Sequence, residues 1–341
     1  MIKDVDATQA SAAAKMRRQA ERNRLAAKHA DLARDLKKPA QLRCALQIGM
    51  QWLIVAAAIA VAQAAGSVVV TVIALVVIAT RQHALLVLMH DAAHYLITRN
   101  KRRNDLYANV LLTFPLTIST SRYRAHHLSH HRHLNSETDP DYGDAFAPPT
   151  RGLLGLALLR DLTGLSTLQS LRSINSFGVF GLFQQRDASN RLERWVFIAF
   201  VAGISGIASF YHLWLDVLLY WFVPMVFFLP PILRIRSLSE HAGRAAEAAH
   251  RDARSVSPGW LERGLFAPCN VNRHWEHHLF PQVPSYRLNE LSKRLAQRMP
   301  ETPAAQPTRG YLIGSASMLA ELYPKGHHAQ ALAQRKSRPL P

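Results

Sequence analysis

Residues 44–80 read CALQIGMQWLIVAAAIAVAQAAGSVVVTVIALVVIAT and contain no Lys, Arg, Asp or Glu. A single helix of that length would be about 55 Å long, nearly twice the thickness of a hydrocarbon core. The stretch therefore predicts two membrane spans, at about 45–62 and 67–88, with a turn between Gln63 and Ser67.

A second apolar stretch covers residues 195–233, where Asp216 is the only charged residue. It predicts another pair of spans, at about 195–211 and 213–233. The alternative is a soluble protein with buried core helices, but charge-free stretches this long are rare outside membranes. The predicted fold class is an all-α integral membrane protein with four transmembrane helices arranged as two hairpins.

The distribution of charge predicts the orientation of the chain. Its 341 residues carry 41 Lys+Arg and 23 Asp+Glu, a net charge of +18. All the basic residues fall in 1–43, 81–194 and 234–341, so the positive-inside rule places both termini and the histidines in the cytoplasm, on a helical cap. The spans and the even spread of basic residues disfavour a nucleic-acid binder, and two cysteines, Cys44 and Cys269, exclude a disulfide scaffold.

Composition divides the chain into three parts. Residues 1–43 form a basic cytoplasmic N-terminal segment, either an exposed helix on the membrane surface or a solvated tail. Residues 44–292 form the membrane domain, and 293–341 are expected to be a loose cytoplasmic C-terminal tail. The apolar but interrupted stretches 106–120 and 152–183 predict interfacial or re-entrant helices.

Most of the 17 histidines lie in three clusters, at 90–94, 126–133 and 274–278. On a helix, residues four apart share a face, and a His-x-x-His-His triplet spreads its rings over roughly 100°. Three such rings converge on one point. The candidate ligands read from this spacing are His90, His94, His127, His130, His131, His274, His277 and His278.

These histidines predict a dinuclear metal centre. Neutral imidazole suits iron, zinc, copper or nickel, and eight or nine ligands are too many for one ion. The zinc hydrolase motif H-E-x-x-H does not fit, because Asp91 follows the first histidine. His126 and His133 project away from the second triplet. The expected surface or packing histidines are His29, His83, His126, His133, His212, His250, His327 and His328.

The three clusters resemble the histidine boxes of the membrane fatty acid desaturase family, whose members are integral-membrane non-haem di-iron enzymes. The boxes H-x(3,4)-H, H-x(2,3)-H-H and H/Q-x(2,3)-H-H match in order and in topological position. Neighbouring residues agree as well, with Asn135 and Asp139-Pro-Asp141 after the second box and His277-His-Leu-Phe-Pro281 in the third. The resemblance covers about residues 45–292.

The resemblance implies O2-dependent desaturation of a fatty acyl chain or related lipid at two iron ions. It adds His241, which holds the place of the family's ninth ligand, and assigns the chemistry to the metal centre rather than to a catalytic side chain. Because no cytochrome b5-like domain is fused, electrons are expected from a separate donor of ferredoxin or cytochrome b5 type with a reductase.

Other polar residues are candidates for supporting the centre. A metal-bound histidine usually donates its second N–H to a carboxylate, a carbonyl or water. The candidates for that contact are Asp91, Asp139, Asp141, Glu240 and Glu276, with Asn270 or Asn272 as counterparts of a family asparagine. Four arginines are candidates for binding an anionic head group or for setting topology only: Arg122, Arg124, Arg234 and Arg236.

Two other functions remain as alternatives. A lipid or hydrocarbon hydroxylase would use the same scaffold and metals, although its relatives usually carry a Glu-containing first box that this chain lacks. A metal transporter would place its site within broken spans near the midplane, whereas the predicted hairpins contain only His212. The residues within and after the boxes favour desaturation over hydroxylation.

Overall fold

The computed structural model describes residues 16–167, 177–184, 190–244 and 250–324. Within these ranges the regular elements are helices, and β-structure is limited to isolated bridges. The α-helices span 16–28, Ala30–Ala33, Gln41–Ala65, Val68–Ala93, Lys101–Ala108, Thr120–His133, Arg151–Leu162, Gly181–Gln184, Arg191–Phe210, Trp214–His241, Trp260–Phe266, His274–Leu279, Leu288–Arg298 and Met318–Leu322. Shorter 3-10 or π-helical turns cover Asn109–Thr113, Phe114–Leu116, Tyr142–Ala145, Pro268–Asn270 and Ser285–Arg287.

Four of these helices are long and apolar enough to cross a membrane: Gln41–Ala65, Val68–Ala93, Arg191–Phe210 and Trp214–His241. We call them the first to fourth spans. The predicted all-α membrane fold is confirmed. Several helices run beyond the apolar stretches that predicted them, because loss of hydropathy marks the bilayer edge and does not end a helix. The second and fourth spans extend in this way to Ala93 and His241.

The turns between consecutive spans lie at the same end of the molecule. Gly66 ends the first span in the left-handed conformation, with φ +55°, which a glycine adopts without steric cost. Beside it, Gln63 Nε2 donates a hydrogen bond to Asp216 Oδ1 at 2.9 Å. Asp216, the charged residue of the second apolar stretch, thus contacts the first stretch beside its turn.

The first, second and fourth spans pack together. Val55, Ala74, Ile78 and Tyr220 share one buried apolar cluster of these three helices. The fourth span contains two π-helical turns, Leu218–Phe222 and Pro224–Phe228, around the proline that cannot donate a backbone hydrogen bond.

The third span is mostly exposed along its length. Ala208 is its buried residue, and Phe197 lies against Phe114 with ring centroids 5.1 Å apart. Such an apolar, exposed helix is typical of one that faces lipid.

The interrupted stretch after residue 150 contains the helix Arg151–Leu162. Its leucines 153, 156 and 159 are exposed, while Leu154 packs against the fourth span. Asp161 on the packed side accepts a hydrogen bond from Arg234 at 2.8 Å. The predicted interfacial position of this helix stays a prediction, and residues 168–176 of the stretch lie outside the described residues.

The described part of the N-terminal segment differs from both expectations, because it packs on the cap, by which we mean the part of the structure that contains Thr120–His133 and residues 250–324. Ala33 and Leu36 are buried in a cluster with Trp275, Leu291 and Leu295, and Leu25 packs against the same cluster. The physical reason is an apolar stripe: residues 25, 32, 33 and 36 fall on one side of the helical segment, and burying that side removes apolar surface from water.

The C-terminal region after 293 is also packed, up to the last described residue at 324. Tyr311 and Met318 are buried in the cluster that contains the cap end of the fourth span. Glu321 accepts hydrogen bonds from the Arg254 side chain and from the hydroxyl of Thr308. Residues 325–341, with His327 and His328, lie outside the described residues.

Candidate metal centre

The first histidine box lies at the cap end of the second span, on two neighbouring helical turns. Arg124 of the second-box helix, Thr120–His133, fixes this end. Its Nε donates to the carbonyl of Ala93 at 3.0 Å and its Nη2 to that of Ala92 at 3.2 Å. Because terminal helix carbonyls lack intrahelical partners, these bonds lock the orientation of His90 and His94 relative to the second box.

Five histidines bring one ring nitrogen each to a common point, and we call them the first group. The Nε2 atoms of His94 and His127 are 3.0 Å apart, those of His127 and His131 2.9 Å, and those of His131 and His277 3.0 Å. All five ligand atoms lie within 4.8 Å of one another. The first group consists of His90, His94, His127, His131 and His277.

Four further histidines form the adjoining second group. Nε2 of His274 lies 2.8 Å from Nε2 of His241 and 2.9 Å from Nε2 of His278, and the His130 and His278 Nε2 atoms are 3.4 Å apart. The two groups share helices, because consecutive histidines of the second box, and of the third box, belong to different groups. The second group consists of His130, His241, His274 and His278.

The donor set of the first group fits a metal ion. Nε2 of a neutral imidazole offers either one proton or one lone pair, so hydrogen bonds can satisfy at most two of the three close contacts among His94, His127, His131 and His277. Burial, followed by the neighbouring histidines, holds the pKa of His127, His131 and His277 well below its usual range. Neutral rings with converging lone pairs are the ligands that iron and other transition metals prefer.

The second group has the same character. Burial is again the largest cause that lowers the pKa of His274 and His278, and the neighbouring histidines add to it. His130 differs: burial opposes its charged form, but the carboxylates of Asp139, Asp141 and Glu240 outweigh burial and raise its pKa.

Two carboxylates contact rings of the second group at Nδ1. Asp139 Oδ1 lies 2.8 Å from His130 Nδ1, and Glu240 Oε1 lies 3.2 Å from His274 Nδ1. A carboxylate at Nδ1 fixes the tautomer in which Nε2 carries the lone pair. Both rings therefore present Nε2 to the second group.

Comparison with known families gives a match that covers the spans and boxes described above. The family model for fatty acid desaturase matches residues 66–310. The chain belongs to the fatty acid desaturase family. A search of curated proteins finds no match. Family membership makes the chain an oxidoreductase of the membrane, with a lipid substrate, in a family that uses iron.

The desaturase match contains three spans, all three boxes and His241. The first span and the N-terminal segment precede it, and the residues after 310 follow it. The structure brings together all nine histidines that the sequence and the family resemblance singled out.

The other candidate supporting residues make different contacts. Asp141 Oδ1 bonds the His126 ring at 2.8 Å, and its second oxygen is 3.6 Å from His130 Nδ1. Asp91 accepts the backbone N–H of Ser285 at 3.1 Å.

Glu276 and the asparagines also hold loops of the cap. Glu276 accepts the hydroxyl of Ser255, and Asn270 Nδ2 donates to the carbonyl of Ser285 at 3.1 Å. Asn272 Nδ2 donates to the carbonyl of Val256 at 2.8 Å. These side chains position the segments around the third box, rather than the ligand rings themselves.

The remaining histidines lie outside both groups where the structure describes them. His126 contacts Asp141, and His133 contacts Ser129 Oγ at 3.3 Å, so both project away from the two histidine groups, in line with the helix geometry. His83 and His29 are buried in packing positions, and His212 is exposed at a turn.

The candidate head-group arginines have partners within the protein. Arg124 pairs with Asp105 in addition to the helix carbonyls, and Arg234 pairs with Asp161. Arg236 Nε lies 2.8 Å from Glu240 Oε1, and Arg122 Nη1 donates to the Gly181 carbonyl at 3.2 Å. These four contacts give the arginines structural roles in the cap, which spacing along the sequence did not reveal.

Proposed function

We propose that this protein desaturates a fatty acyl chain or related lipid, using O2 and two iron ions held by the nine histidines. The observation that carries the proposal is the convergence of nine ring nitrogens in two adjoining groups, on the cap of a membrane protein of the desaturase family. Each group would hold one ion.

The protein's own contribution is to prepare these rings. Iron bound there would supply the redox chemistry that removes hydrogen from an unactivated methylene, which no side chain can perform. Burial favours the neutral form of His127, His131, His274, His277 and His278. Asp139 and Glu240 orient the His130 and His274 rings through Nδ1. Arg124 fixes the end of the second span. The first box therefore keeps its position relative to the second box.

The overall reaction converts –CH2–CH2– into –CH=CH–. The two hydrogen atoms, two protons and two electrons combine with one O2 molecule to give two water molecules. The electrons come from a separate donor protein, of ferredoxin or cytochrome b5 type with its reductase, and the substrate comes from the surrounding membrane.

The first prediction concerns the product. Cells that express the protein should accumulate a lipid lighter than its parent by two hydrogen atoms, because both abstractions occur at one site. Mass spectrometry of total lipid extracts measures it. The His131→Ala variant, which lacks a first-group ligand, should give none, and His133→Ala on the same helix should give the full amount.

A different product would overturn the proposed reaction. A lipid heavier than its parent by one oxygen atom, with no olefin, identifies the hydroxylase alternative. An olefin formed equally by the His131→Ala variant would show that the host and not this protein makes it.

We also propose that the histidine groups and both termini face the cytoplasm. The two turns contain no Lys or Arg, whereas the cap side is strongly basic. The contact between Gln63 and Asp216 supports a common side for the turns.

The second prediction tests this orientation. In a background with Cys44→Ala and Cys269→Ala, cysteines placed at Ser67 and Leu213 should react with an impermeant maleimide added outside the cell. A cysteine at the exposed Lys293 should react only after the membrane is opened. Labelling of Ser67 and Lys293 from the same side contradicts the proposed topology.

A further inference from the structure

A small apolar surface on the cap, outside the metal centre, is carried by a helix and a loop that are far apart in sequence. Trp260 is 86% exposed, Leu261 51% and Ile313 70%. We call these three residues the Trp260 surface. Exposed apolar side chains grouped in this way mark an interaction site.

Hydrogen bonds fix the loop that carries Ile313 to the helix that carries Trp260 and Leu261. Glu262, which is buried, accepts the backbone N–H groups of Leu312 at 2.8 Å and Ile313 at 3.1 Å through Oε1, and that of Tyr311 at 3.0 Å through Oε2. Gly310, with φ +94°, permits this approach, because a Cβ there would lie 2.8 Å from Glu262 Oε2. The loop is therefore fastened to the helix Trp260–Phe266, and its apolar side chains are held outward.

The position of this helix relative to the spans identifies what the surface meets. Phe266 packs in a cluster with Ala79 and Ile232, which lie just inside the points where the two apolar stretches end. Arg81, the first charge after one of those stretches, donates to the carbonyl of Gly264 at 3.5 Å. The helix thus lies at the level where the apolar spans leave the bilayer.

The charge around the surface agrees with that location. Arg263 and Arg309 are exposed next to it, one on the helix and one at the start of the loop. Tryptophan prefers the boundary between head groups and acyl chains, and arginines beside it attract anionic lipids.

We propose that the Trp260 surface inserts into the cytoplasmic leaflet, with Arg263 and Arg309 on anionic head groups. This contact anchors the cap to the bilayer independently of the spans. An amphipathic element of this kind buries its apolar side about 5–10 Å into the boundary region. The proposal does not depend on desaturase activity and is tested without it.

The third prediction tests insertion in the full-length protein reconstituted into phosphatidylglycerol vesicles. An environment-sensitive fluorophore is attached to Ile313→Cys, or separately to Leu261→Cys, in the background lacking Cys44 and Cys269. Lipids brominated near the head-group end of the acyl chain should quench about half of the emission at either position. The same label at Glu137→Cys should be quenched little. Glu137 is exposed and lies beyond the C-terminal end of the second-box helix.

Two further arms complete this experiment. Changing Arg263→Gln and Arg309→Gln together should reduce quenching at Ile313, and unchanged quenching overturns the head-group contact. Quenching at Ile313 and Leu261 no stronger than at Glu137 overturns insertion. Disulfide-linked dimers through Ile313→Cys without quenching would identify a second copy of the chain as the true partner.

Discussion

Replacing His131 by alanine should lower the metal content from about two irons per chain to one or none. His131 Nε2 lies 2.9 Å from the His127 nitrogen and 3.0 Å from the His277 nitrogen, so its loss opens the middle of the first group. His278→Ala should act in the same way on the second group. Elemental analysis of the purified protein by mass spectrometry measures both effects.

The control for this prediction is a histidine on the same helix. His133 contacts Ser129 and neither group, so His133→Ala should keep its full iron content. One zinc ion per chain in the unaltered protein, or full iron in His131→Ala, would refute the di-iron assignment.

The second large effect is expected at Arg22, in the N-terminal segment that precedes the family match. Arg22 Nε donates to Asp252 Oδ2 at 2.9 Å, and the two side chains are only 8% and 2% exposed. Arg22→Ala should cost about 3–5 kcal/mol of unfolding free energy, because it leaves a buried carboxylate without its partner. Thermal unfolding in detergent, followed by intrinsic fluorescence, measures the loss.

A matched control and a double variant separate the ion pair from other effects. Arg24 is exposed on the same helix, so Arg24→Ala should change stability little. Arg22→Ala combined with Asp252→Ala should recover part of the loss, since it removes the unpaired charge as well. Equal destabilisation by Arg22→Ala and Arg24→Ala would contradict a role for the buried pair.

This ion pair is connected to the second histidine group through Asn135 and Asp139. The carbonyl of Asp252 accepts a hydrogen bond from Asn135 Nδ2 at 2.8 Å, and the N–H of Asn135 donates to Asp139 Oδ2 at 2.9 Å. Asp139 in turn holds the His130 ring. The N-terminal segment therefore supports the second group from outside it, through residues that no local pattern connects.

The membrane spans were predictable because hydropathy is a property of consecutive residues. A stretch without charge reports the bilayer wherever the rest of the chain lies. The helix ends were less predictable: the second span continues to Ala93 and the fourth to His241, where polar residues follow the apolar ones without breaking the helix.

The packing of the described parts of the two terminal regions, 16–43 and 293–324, was missed, and the signal differs between them. The N-terminal segment carries an apolar stripe at residues 25, 32, 33 and 36, which is visible in the sequence among many charges. The C-terminal region depends on contacts such as Arg254 with Glu321 and Glu262 with the loop at 311–313. Those contacts join residues that are 49 or more positions apart, so their local sequence indicates only loop and turn.

By itself, the sequence determined that four apolar segments form spans and that eight histidines are available as ligands, because helical spacing puts His90 with His94 and sets each triplet on one side of its helix. The family resemblance added His241. Only the tertiary structure decided how those ligands are divided. His130 and His131 are neighbours, as are His277 and His278, yet each pair is split between the two groups, since consecutive residues on a helix point about 100° apart. Which rings come together depends on how four helices that are distant in the sequence meet, and that is set by packing and by ion pairs such as Arg124 with Asp105.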